Sequence, residues 1–106
     1  MNSKEVKKFI RENENLFWYI RKDKLEDISH DVLVEFILNY GSSDAVKKLF
    51  TLLGVDDAAE IFYQHNIPGK RTNYLPLTIH YFNLYFKRHA SKNTLSRAEK
   101  FIAAHQ

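Results

Sequence analysis

The chain has 106 residues, 44% of them hydrophobic and 27% charged, with a net charge of +3. These proportions suit one globular domain with a modest core and exclude wholesale disorder. Cysteine is absent, which excludes disulfides, thiolate nucleophiles and thiolate metal sites.

The first helix is expected over residues 3–13, with Asn2 and Glu5 at capping-box spacing and Val6, Phe9 and Ile10 as its apolar stripe. The charged start carries no apolar signal-peptide core, and no run of about 18 apolar residues follows, so the expected setting is the cytoplasm, with no membrane span. Leu16-Phe17-Trp18-Tyr19-Ile20 is a dense aromatic run with no second strand to pair with. It reads as a buried, partly helical connection with Trp18 in the core. Residues 21–29 form about one helical turn with Leu25 and Ile28 inward.

Ser29 caps a helix from His30 to Tyr40, closed by Gly41, with Val32, Leu33, Phe36, Ile37 and Tyr40 as its buried face. Ser43 caps a third helix, Asp44 to Leu53, closed by Gly54, and Asp57 with Glu60 opens a fourth to about His65. Pro68-Gly69 marks a turn. Thr72 caps a long helix near residues 73–88 whose circumference is apolar almost throughout, the mark of a central helix. At about 100° per residue, Leu75, Ile79, Phe82 and Phe86 form one line of that helix. Tyr74, Tyr81 and Tyr85 form a second, and Leu77 with Leu84 a third, while His80 and Asn83 share a polar strip. A last helix runs from about Thr94 to His105. The expected fold is all-α: a single domain over residues 1–106, built as a bundle of five to six helices.

Signatures of catalysis and cofactor binding are missing. The three glycines are far apart, and no two histidines stand at i, i+4, so neither a phosphate loop nor a helical metal site is indicated. The Arg-to-His spacing of helical ribonucleases is absent too; Arg97 and His105 come nearest to it. The expectation is a non-enzyme without a cofactor. Leu49 to Phe62 has the outline of a helix-turn-helix, yet Asp56, Asp57 and Glu60 would face DNA phosphates.

Charge is uneven along the chain. Residues 1–60 hold nine Lys/Arg against twelve Asp/Glu, and residues 61–106 hold seven against the single acid Glu99. Lys70 and Arg71 before the long helix, Lys87 and Arg88 at its end, and Tyr74, Tyr81 and Tyr85 between them form the candidate binding surface. Two partners suit it: another protein or a second copy of the chain, through an apolar and tyrosine-rich face, or alternatively nucleic acid, through phosphate contacts and stacking.

Leu16-Phe17-Trp18, Asn39-Tyr40-Gly41, Leu49-Phe50 through Gly54, and Arg71 to Leu77 together resemble a family of small uncharacterised proteins of Bacteroidetes bacteria. The similarity spans about residues 16–80. Genes of that family often stand beside nucleotidyltransferase-like toxin genes, so the resemblance implies an antitoxin-like or accessory regulatory role. The chain departs from the pattern where Tyr19 follows Trp18 in place of an acid and where Pro76 replaces a helix former. No functional residue is carried over.

Overall fold

A computed structural model describes residues 2–106. It holds six α-helices, α1 (Lys4–Glu12), α2 (His30–Tyr40), α3 (Ser43–Leu53), α4 (Val55–Gln64), α5 (Pro76–His89) and α6 (Lys92–His105), with short 3₁₀ segments at Glu14–Leu16 and Lys22–Asp27. There are no strands among the described residues, and the chain is the all-α bundle its periodicity predicts.

Serines set most helix starts. The hydroxyls of Ser3, Ser29, Ser42 and Ser91 accept from the backbone N–H of Val6, Val32, Ala45 and Thr94. The expected capping box at Asn2 gives way to Ser3, and the α3 cap is Ser42 rather than Ser43. The Asn2 amide instead donates to the carbonyls of Glu26 and Ile28 at 2.9 and 3.0 Å, tying the N-terminus to the 3₁₀ segment. The start of α4 also moves, from Asp57 to Val55, because Gly54 at φ 90 turns the chain directly from α3 into the next helix. Only glycine adopts that φ without strain.

Gly41 has a different reason to be glycine. Its φ of −77° is open to any residue. A Cβ there would lie 2.7 Å from the Ile37 carbonyl and 3.3 Å from the Ala45 Cβ, so the close passage from α2 to α3 excludes a side chain. Gly41→Ala is expected to cost about 1–3 kcal/mol by overpacking, read from denaturant melts. A loss below about 0.5 kcal/mol would show that the passage can open without strain.

One apolar cluster runs from Val6 on α1 to Ala98 on α6. Its centre differs from the expected one. α4 packs against α2, α3, α5 and α6, and α2 buries Leu33, Val34, Phe36, Ile37 and Leu38. α5 buries only Thr78, Phe82 and Phe86, so it covers the core from one side. A wheel drawn for α2 alone misses Val34 and Leu38, because α2 is packed on more than one flank. Tyr40, expected inside, is exposed at the end of α2.

The aromatic run resolves into one anchor and two surface rings. Phe17 is buried and stacks on Phe36 at 5.1 Å between centroids. The Ile20 N–H donates to the Phe17 carbonyl at 3.0 Å, and this tight turn throws Trp18 outward to 77% exposure. Trp18 is therefore not a core residue. Consecutive side chains on a turn cannot all face one core.

Candidate functional site

The seven residues singled out in the sequence do not form one surface: Tyr74 is buried, Arg71 and Lys87 line different hollows, and Tyr81 and Tyr85 share a third. The reason begins at Pro76. A residue before proline is biased toward extended backbone, and Leu75 obeys with φ −70 and ψ 146. The helix therefore starts at Pro76, in the first-turn position proline favours, and Leu75 rather than Thr72 is its N-cap. Leu75 has no capping side chain of its own; its N–H donates to the Asn39 Oδ1 at 3.0 Å. It is 43% exposed, so the expected core line keeps only Ile79, Phe82 and Phe86.

Tyr74 is then left outside the helix, and the expected tyrosine line breaks. Its backbone N–H donates to the Thr72 Oγ1, and its ring packs edge-on against Phe62 at 5.5 Å. Tyr74 is buried, and its hydroxyl has no hydrogen-bond partner among the described residues. Burial, with the Glu35 and Asp31 carboxylates adding to it, pushes this phenol well above its ordinary range; burial also raises Tyr63. An unfolded tyrosine ionises near pH 10 and these two ionise at higher pH in the fold, so the unfolded chain binds fewer protons as pH rises through that range. Stability is accordingly full below about pH 10 and falls as pH rises beyond it. Tyr74→Phe removes an unsatisfied hydroxyl and one ionisation together. It is expected to raise stability at pH 7 by about 1 kcal/mol and to flatten the alkaline limb of a stability-versus-pH curve. A clear loss at pH 7 would mean that the hydroxyl is hydrogen-bonded.

Lys70 and Arg71 fall outside the first turn of α5, so they are not cations at a helix N-terminus. Arg71 lines a polar hollow with Glu35, His65, Thr72 and Asn73, close to where the His65 Nε2 meets the Asp31 Oδ2 at 2.7 Å. Glu35 is the one carboxylate that lines the same hollow, and it forms no ion pair with Arg71 among the described residues. Lys87 lies on the side of α5 that faces α6, in a cleft shared with Glu99. Arg88 is about 100° further round the helix. Arg71, Lys87 and Arg88 thus occupy three separate settings, and Lys70 is exposed on the turn before Arg71.

Tyr81 and Tyr85 do stay together, on the flank of α5 toward α3. They line a groove of about 520 Å³ with Leu38, Val46, Lys47, Phe50, Leu77 and Phe82. Tyr85 stacks on Phe50 at 5.3 Å and 27°, and Tyr81 stands edge-on to Phe82 at 4.9 Å, so the floor is packed aromatic surface. Lys47 is the one charged residue on the groove wall. Beside the groove, Leu77, Tyr81 and Leu84 are 83%, 60% and 57% exposed. Their i, i+4, i+7 spacing makes one apolar seam along the outer face of α5. A soluble helix seldom leaves such a seam uncovered.

A second aromatic patch lies elsewhere. Trp18 packs edge-on against Tyr19 at 4.7 Å, Tyr19 contacts Phe36 at 5.2 Å, and Phe36 meets Tyr40 at 6.1 Å. The sequence reading missed this patch because it assigned Trp18 and Tyr40 to the core. It missed Val46 and Lys47 as well: they reach the groove only through the packing of α3 beside α5.

The α3–α4 hairpin keeps the acids Asp56, Asp57 and Glu60 in the first two turns of α4. Phe50 is buried in it, and the Asp56 carboxylate accepts the Ser91 N–H at 2.7 Å, tying the start of α4 to the α5–α6 junction. His80 is exposed, whereas Asn83 is half-buried and its Oδ1 accepts from the Tyr63 hydroxyl at 3.0 Å. Among the described residues no three His, Asp or Glu side chains converge as a metal site would require, and no helix is long and apolar enough to cross a membrane. No protein-family model, curated protein or solved structure matches the chain.

Proposed function

We propose that the chain is a small helical interaction module, without catalytic activity, whose groove between α3 and α5 receives an amphipathic helix of another protein. The observation that carries this is the seam of Leu77, Tyr81 and Leu84, exposed beside a groove floored by Phe50, Phe82 and Tyr85. Helix-in-groove recognition uses such a surface, with apolar anchors at i, i+3 or i+4, and i+7 of the incoming helix. Lys47 is the only charge on the wall, and Arg88 follows Leu84 by one turn on the same face of α5. The partner's helix is therefore acidic along the flanks of its apolar stripe.

A finer role as an antitoxin or accessory regulator rests on the family resemblance of residues 16–80, and a cytoplasmic setting on the cysteine-free composition. Nucleic-acid binding through Lys70, Arg71, Lys87 and Arg88 is the alternative, and it needs one continuous basic stripe. The spread of Arg71, Lys87 and Arg88 over different settings favours the protein partner.

The test is fluorescence anisotropy with two helical peptides that share one leucine stripe and carry Glu or Lys on its flanks. The acidic peptide is expected to bind, and Lys47→Glu to shift the preference toward the basic one. Equal affinity for both peptides, or for neither, would overturn the reading. Light scattering that shows a dimer closed through Leu77 would replace it with self-association.

A further inference from the structure

We propose that the cleft between α4, α5 and α6 binds a small zwitterion with an apolar side group, such as an apolar α-amino acid. This site is separate from the α3–α5 groove. The cleft is open to solvent on one side and measures about 480 Å³, a volume suited to a small ligand. Phe62, Ile79, Leu95 and Ile102 supply apolar walls. The polar groups come at regular spacing: α5 presents Asn83 and Lys87 one and two turns after Ile79, and α6 presents Glu99 between Leu95 and Ile102.

Two features make the cleft more than a dent. Lys87 and Glu99 both line it, yet neither belongs to any ion pair among the described residues. Asn83 lines the cleft too; the Tyr63 hydroxyl donates to its Oδ1, which holds the amide, and its Nδ2 donates to no group among the described residues. An ammonium and an amide N–H suit a carboxylate, Glu99 suits an ammonium, and an apolar wall lies beside them. A plain carboxylate would meet Glu99 as a like charge, and a plain amine would meet Lys87. A zwitterion satisfies both.

The experiment is a methyl NMR titration of the intact protein with L-phenylalanine, 3-phenylpropionate and phenethylamine. L-Phenylalanine is expected to shift the Ile79, Leu95 and Ile102 methyls saturably at millimolar concentration. Each analogue lacks one charged contact and should bind about tenfold more weakly. Glu99→Gln should bring L-phenylalanine down to the level of 3-phenylpropionate, and Lys87→Met to that of phenethylamine. Both positions are exposed, so the fold should survive, and unchanged methyl dispersion would show it. Leu77→Glu should leave the binding intact, which separates this site from the docking groove. Unmoved methyls with L-phenylalanine, or equal affinity for all three compounds within about twofold, would overturn the proposal.

Discussion

Phe86→Ala is expected to lower the stability of the fold by about 3–5 kcal/mol, the range for emptying a buried aromatic site. Phe86 is fully buried and joins three helices through its ring. Its centroid lies 5.7 Å from Phe50 on α3, 5.2 Å from Phe62 on α4 and 6.0 Å from Phe82 one turn earlier on α5. Those rings cannot all collapse into the space left, because each is held by a different helix. Domains of this size are typically stable by about 5–15 kcal/mol, so the loss removes much of the total. At about 4–8 °C per kcal/mol, the thermal midpoint should drop by about 12 °C or more. Leu84→Ala on the outer face of the same helix should stay within about 0.5 kcal/mol. Similar melts for the two variants would contradict the assignment of the inner and outer faces of α5.

Leu77→Glu combined with Tyr81→Glu should leave the fold stable within about 1 kcal/mol while weakening the acidic helical peptide by more than about tenfold. Both side chains are exposed. Leu77 lies in the first helical turn, where an acid is favoured by the helix dipole, and glutamate is a good helix former at position 81. Lost stability is therefore not available as an explanation for lost binding. The apolar anchors would be gone, and the new charges would repel an acidic partner. Trp18→Ser changes an exposed aromatic outside the groove and should leave the affinity unchanged. Retained binding in the double variant would move the interface away from α5.

The fold was largely legible where a side chain and its nearest turn decide the structure. Ser29 before an apolar-periodic stretch marks α2, and Gly54 marks the α3–α4 junction whose positive φ it permits. Legibility ended where a second partner or a backbone bias intervened. The bias of a pre-proline residue toward extended backbone removed Leu75 and Tyr74 from the long helix, although both continue its periodic pattern. Val34 and Leu38 are buried because α2 is packed on several flanks, which no single-helix wheel displays. In the aromatic run, composition showed that something is buried but not which ring; the turn chose Phe17 and released Trp18.

The candidate surface was legible in part. Tyr81 and Tyr85 share one flank, as their spacing requires, and they do line one groove. Lys47 and Val46, more than 30 residues earlier, complete it through tertiary packing alone. The cations were misleading as a group because sequence proximity to a helix end does not fix the side on which a charge emerges. Lys87 and Arg88 are neighbours in the chain and point about 100° apart.

The most direct test is hydrogen–deuterium exchange on the intact protein, with and without the acidic amphipathic peptide. Docking in the groove predicts new protection confined to residues 38–50 and 76–88, with the Trp18 patch and α6 unchanged. Protection centred on residues 95–102 or on the Trp18 patch, with none along α5, would contradict it.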